Sequence, residues 1–402
     1  MTTDFLSLYV HHAGQSEVPP QFHYFAGVSL LAATVSDRVW LMRDSGGTRI
    51  YPNLYVFLIG PSGSGKERAI TTAAKLAEDH PSMGLLASTG ITKQYLIDHV
   101  TRPRPTGEDH RNIVYLVTEE LGMSIPSKEL GKELIKFMTG HYIRSTVPLR
   151  EGTRTHGPKV LPPLCLNWLA GTTDEWLLQA VEKDAILGGF FARVLGIRGR
   201  RTGTPRCANI LYPADRKEVA RQLKLRVEMY TTLRAQFIKS YEAILWYNQW
   251  YESYEVRPTP TDPLLEAAFN RTDEMVHRLA MILKLSSMDD IPGYFTDVQI
   301  EVEYFQEAAR LWTALMEGVP ETVRKAVSTR ESGDADTLLE MIRRARTMDH
   351  STLLRRARNH GMNAERVGRA IETLRQSEEV VLDIESVGKG KTKRVYRSPV
   401  SE

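Results

Sequence analysis

Gly60, Pro61, Ser62, Gly63, Ser64, Gly65 and Lys66 fit the pattern G-x-x-x-x-G-K. Small residues at such a turn let backbone N–H groups curl around a β-phosphate, while the lysine reaches the β- and γ-phosphates of a nucleotide. The next position, normally the Ser or Thr that holds Mg2+, is Glu67. A carboxylate there is either a hard oxygen ligand for Mg2+ or a helix-start acid favoured by the macrodipole. Further along, Glu119 and Glu120 close an apolar run that begins at Ile113. The first acid suits the metal or its water shell, and the second suits the polarising of an attacking water.

The elements that must hold these groups are legible around them. Leu54, Tyr55, Val56, Phe57, Leu58 and Ile59 read as a buried strand, and Ala69, Ile70, Ala73, Ala74 and Leu76 continue after the loop at helical spacing. Gly84 to Ser88 reads as a second strand and Thr92 to Val100 as a helix. Ile113 to Thr118 is the strand that ends in the two acids, and Leu164 to Leu169 is a third core strand. Asn167, Thr172 and Thr173 are candidates to place a polar group near a γ-phosphate, though Thr173 and Asp174 equally suit a helix cap. Arg193 stands in the apolar, glycine-led run Gly188 to Ile197, where an unpaired guanidinium is costly. It is either salt-bridged within the fold or exposed at a subunit edge, in reach of a neighbour's ATP.

Composition sets outer bounds. The chain has 402 residues, enough for two or three domains, and its net charge of +3 is too small to argue from without its distribution. No run is long enough for a transmembrane span, and the N-terminus lacks the basic start and apolar core of a signal peptide, which predicts a cytoplasmic protein. Cys165 and Cys207 have neither zinc nor redox spacing and read as packing residues. His11 and His12 have no partner at ligand spacing and read as surface residues.

Basic residues gather in two places. Between Tyr142 and Leu161, Arg144, Arg150, Arg154, His156 and Lys159 face only Glu151, as suits a hairpin contacting a phosphate backbone or a solvated surface loop. Between Arg343 and Arg397 bases outnumber acids by about two to one. There, helices at Thr337 to Arg346, Ser351 to Arg358 and Asn363 to Ser377 precede two strands around Gly388, Lys389, Gly390 and Lys391. This is the layout of a winged helix-turn-helix with a basic wing tip.

Four parts are therefore expected: a helical N-terminal cap over 1–50, a P-loop α/β core over 51–212, a helical lid over 213–327 and a winged helix over 328–402. A polar linker is expected from Pro320 to Asp336, and one long helix from Asp215 to Val256. The aromatics of that helix, Trp246, Tyr247, Trp250, Tyr251 and Tyr254, suit helix packing better than stacking on bases.

This order of parts resembles the AAA+ ATPases, in particular the minichromosome-maintenance-like and the phage or mobile-element replicative helicases. The segment Tyr51 to Lys66, with Gly189, Phe190, Phe191, Ala192 and Arg193, looks like the DUF3987 group of phage and plasmid proteins. The resemblance implies a homo-oligomeric ring, commonly a hexamer, with ATP and Mg2+ at subunit interfaces. It implies DNA and other replication proteins as partners, and no membrane. By motif match it makes Lys66 the phosphate lysine, Glu119 and Glu120 the acidic pair, Asn167 the first sensor, Arg193 the finger, and Arg278, or less directly Arg271, the lid sensor. The expected activity is an ATP-driven DNA helicase or translocase. The alternative is an ATP-dependent initiator, loader or transposition regulator that binds DNA without unwinding it, and an inactive assembly scaffold follows if Glu67 fails to support Mg2+.

Overall fold

The computed structural model describes residues 4–14, 17–43, 47–87, 90–102, 112–124, 128–153, 157–174, 176, 189–200, 213–255, 263–291, 294–386 and 392–398. The chain divides into two compact units, 1–320 and 321–402.

The first unit opens with helices α1 (Phe5–Ala13) and α2 (Pro20–Val35). Asp4 caps α1 by accepting the Ser7 amide at 3.1 Å. Pro20 sits at the start of α2, where its missing N–H costs nothing. From Phe25 to Val35 every residue of α2 is buried. A helix apolar all round belongs inside a core, so the segment expected as a cap is part of the core itself.

Strands β1 (Val39–Met42) and β2 (Arg49–Ile50) precede β3 (Tyr55–Ile59). Helix α3 (Lys66–Ala77), β4 (Leu85–Ala87), α4 (Lys93–Thr101), β5 (Ile113–Thr118), α5 (Leu121–Ser124) and α6 (Lys128–Gly140) follow. An antiparallel pair, β6 (Leu149–Thr153) and β7 (Gly157–Leu161), leads to β8 (Cys165–Thr172) and then β9 (Val194–Arg198). Five of these strands form one parallel sheet in the order β4-β5-β8-β3-β9. All residues of β3, β5 and β8 are buried, as a parallel sheet covered on both faces requires. From β3 the chain runs through α3 to the β4 edge, whereas from β8 it passes to the opposite side of β3. Connections leaving adjacent strands in opposite directions open a crevice at the carboxyl ends, where ligands of open α/β sheets bind.

Helix α7 (Arg216–Thr232), β10 (Ala235–Lys239), α8 (Tyr241–Glu255), α9 (Pro263–Phe269), α10 (Thr272–Ser286) and β11 (Thr296–Ile300) complete the α/β part. The single helix expected from Asp215 to Val256 is thus two helices with a strand between them. All five residues of β10 pair in parallel with β11, and Ala235, Gln236 and Phe237 pair in parallel with β1, within a sheet ordered β11-β10-β1-β2. So short an alternation does not stand out between two helical stripes. One hydrophobic cluster runs from Phe5 to Trp312, so the expected cap, core and lid share a single core.

Helix α11 (Val302–Ala345) contains the stretch Pro320 to Asp336, which is helical rather than the expected linker. The second unit adds β12 (Thr347–Asp349), α12 (His350–Asn359), α13 (Ala364–Gln376), β13 (Val381–Ser386) and β14 (Thr392–Arg397). Asp349 caps α12 and Asn363 caps α13, each accepting an amide three residues on. Gly361, at φ 75°, supplies the left-handed turn between these helices. An antiparallel sheet, β12-β14-β13, closes over its own core around Leu338, Leu353, Val367 and Leu374. No helix among the described residues is long and apolar enough to cross a membrane.

Candidate functional site

The loop from Gly60 to Lys66 leaves the carboxyl end of β3 and runs into α3. A Cβ on Gly60 would stand 2.5 Å from the Gly199 carbonyl oxygen, and one on Gly65 would stand 2.4 Å from Val18 Cγ2. Gly63 and Gly65 also take positive φ, 73° and 87°. The curl thus requires glycine for both space and backbone. Among the described residues no side chain caps the α3 N-terminus, whose first amides carry the positive end of the helix dipole. Lys66 is buried, and its Nζ donates to the carbonyls of Gly60 at 2.6 Å and Pro61 at 3.0 Å. Ser64 Oγ is buried and has no hydrogen-bond partner among the described residues. Pro61, Ser62 and Gly63 are exposed.

Three strand ends converge on this loop. The Gly60 amide donates to Thr172 O at 3.2 Å, at the end of β8. A Cβ on Gly171 would meet Glu119 O at 2.2 Å, so the chain leaving β5 lies directly beside β8. Burial raises the pKa of Glu120, and the positive charge of Lys66 draws it back. Glu119 is exposed, and its Oε1 accepts from Thr71 Oγ1 at 3.3 Å. Glu67 is exposed on the first turn of α3, four residues before Thr71 and on the same helix face. Lys66, Glu67, Glu119 and Glu120 are therefore brought together at one end of the sheet.

Asn167 lies at the other end. Its Oδ1 accepts the Leu54 amide at 3.0 Å, and strand pairing sets Tyr55 against Trp168 and Ile59 against Thr172. Five strand steps, about 16 Å at ~3.3 Å each, separate Asn167 from the loop. It holds the start of β3 and is corrected from γ-phosphate sensor to structural residue. Thr172 and Thr173 occupy the loop's end instead; Thr173 Oγ1 accepts the Trp176 amide at 3.3 Å, as a helix cap does.

Arg278 is corrected for the same reason. It is buried on α10, donates to both the backbone and side-chain oxygens of Asn53, and pairs with Glu274. Asn53 precedes β3, so this guanidinium clamps the start of the strand and does not face its own loop. Arg193, just before β9, stands at that same rim, since Tyr55 pairs with Val194. It donates to Gly189 O and lies 5.9 Å from the Tyr142 ring centroid. Burial, then the like charge of Arg271, lowers its pKa. Arg271 is itself paired with Glu274 at 2.6 Å.

The basic hairpin is only partly free. Lys159 pairs with Asp98, and Arg144 pairs with Asp37 at 3.1 Å while lying 5.2 Å from the Tyr51 ring. These two charges are engaged by the body of the protein, contrary to the expectation of four cations facing a phosphate backbone. Arg150 is exposed on β6. Arg154, Lys389, Lys391 and Cys207 lie outside the described residues. Cys165 is buried in β8, which pushes its thiol up to about 12. His11 pairs with Asp215 at 2.9 Å. Tyr247 and Tyr254 of α8 are buried against Phe305 and Phe269, the packing role expected for that cluster.

The donor set fits a nucleotide triphosphate: the buried Ser64 hydroxyl, a glycine turn pressed so closely on Gly199 and Val18 that Gly60 and Gly65 admit no Cβ, the first amides of α3 and the Lys66 ammonium. Among the described residues no group of three His, Cys, Asp or Glu could hold a metal. Mg2+ characteristically takes one or two carboxylates and completes its shell with phosphate and water oxygens, which Glu67 and Glu119 can satisfy. Sequence reading missed the wall behind the loop, where Val18 meets Gly65 and Phe22 meets Gly60 and Gly199. Its only signal was apolarity. Thr71 was missed as well, because its role depends on where β5 ends. No family model matches the chain, and no curated protein matches it.

Proposed function

We propose that the protein is a P-loop ATPase of the AAA+ type that moves along DNA as a homo-oligomeric ring and separates its strands. The observation that carries this reading is the convergence of the glycine loop, Lys66 and Glu120 at the carboxyl ends of β3, β8 and β5. Lys66 and the α3 amides bind and orient the β- and γ-phosphates; Glu120 takes the proton of the attacking water. Glu67 and Glu119 would hold Mg2+, which would supply charge neutralisation at the phosphates. Arg193, about 16 Å of strand away from its own loop, serves a neighbouring subunit's ATP. The helix, strand and hairpin order of the second unit supports a winged-helix reading and contact with DNA.

A second reading is favoured by the ion pairs of Arg144 and Lys159. With those cations neutralised, the hairpin has less charge for gripping a strand, as in an initiator or loader that hydrolyses ATP on DNA without unwinding it. DNA-stimulated ATP turnover tests what both readings share. The wild type turns over and Lys66→Ala does not; turnover surviving in Lys66→Ala contradicts the site.

A further inference from the structure

We infer that the second unit holds duplex DNA through α12, with the phosphate backbone as its ligand. The inference rests on the DNA-binding part of the proposed function and goes beyond it, because the wing tip was the only contact the sequence offered there.

The argument is the distribution of unneutralised charge. Helix α13 carries three arginines, each with a carboxylate partner. Arg366 chelates Asp334 at 2.8 and 2.6 Å, Arg369 faces Glu365 at 3.5 Å and Arg375 faces Glu372 at 2.9 Å. Helix α12 also carries three, Arg355, Arg356 and Arg358, and contains no acid. All three are exposed, and among the described residues no carboxylate pairs with them. Leu353 and Ala357 bury one side of the helix, so Arg355 and Arg358 lie on the outward face and the exposed Arg356 flanks it, all within about one turn. Guanidinium groups so presented match phosphate oxygens in shape and charge. Each arginine already held by a carboxylate must give up that partner before it neutralises a phosphate, so α12 binds more strongly than α13.

The test is binding of a fluorescent DNA duplex to the full chain across a salt series. Each neutralised phosphate adds about 0.9 to the slope of log affinity against log salt, so three contribute about 2.7. Between about 50 and 200 mM salt the wild type therefore loses about 40-fold more affinity than R355Q/R356Q/R358Q. The pair R369Q/R375Q keeps the wild-type slope, and R355K/R356K/R358K restores it. An unchanged slope in the α12 glutamine variant, a drop confined to the α13 pair, or no duplex binding by the wild type each overturns the inference. ATP turnover and fork separation are read in the same preparations. Salt-dependent binding through α12 without strand separation sinks the helicase reading and leaves the inference standing.

Discussion

The Arg278 guanidinium closes on both the backbone carbonyl and the side-chain oxygen of Asn53, joining α10 to the start of β3. Asn53 is buried in turn and donates from Nδ2 to Tyr142 O at 2.9 Å and Leu166 O at 3.2 Å. Arg278→Ala leaves the two Asn53 oxygens buried without a donor, while Glu274 keeps Arg271, a loss of about 1–3 kcal/mol. Urea melts read this directly. A nucleotide-sensing arginine would instead leave stability unchanged and lower only ATP turnover.

Glu120 gives a signed pH dependence. Water activation needs its carboxylate form, and burial raises its pKa above the ordinary 4.5. The rate falls as pH drops through that raised value, so the acid limb lies above that of an exposed glutamate. Glu120→Gln binds ATP but loses about 100-fold or more in turnover. Undiminished hydrolysis in that variant removes Glu120 from the mechanism.

Arg193 is tested by mixing subunits. Arg193→Ala and Lys66→Ala are each inactive alone. In a mixed ring about one site in four joins an intact Lys66 to an intact Arg193 from the neighbour, and about a quarter of wild-type turnover returns. A mixture as inactive as its components contradicts a shared site.

His23 makes stability sensitive to acid. Burial, with the charges of Arg68 and His12, lowers its pKa from 6.5 to about 4, and among the described residues neither ring nitrogen has a hydrogen-bond partner. The unfolded chain takes up this proton below the ordinary value, the folded chain only near the lowered one. Its contribution is complete above 6.5 and is lost as pH falls toward about 4, by up to about 1.4 kcal/mol per pH unit. His23→Phe flattens the stability profile over that window by about one proton; an unaltered profile contradicts the assignment.

The loop, its strand and the acidic pair were legible because each is local: a pattern within a few residues fixes glycine, lysine and helix start together. Helices α12 and α13 were legible for the same reason, with caps and turn glycine in place. Asn167 and Arg278 were misread because their roles depend on which end of a strand they occupy, and register is set by pairing between distant segments. The strand β10 was hidden because its partners, β1 and β11, lie far from it in sequence. The pairing of Lys159 with Asp98 and of Arg144 with Asp37 was equally out of reach, since basic spacing says nothing about which acids fold against it.

The most direct measurement is ATP-dependent separation of a forked DNA duplex by the full chain beside Lys66→Ala. The wild type releases the displaced strand only with ATP, and the variant releases none with ATP present. Hydrolysis without strand release contradicts the helicase and leaves the loader; absence of hydrolysis by the wild type on DNA contradicts the nucleotide site itself.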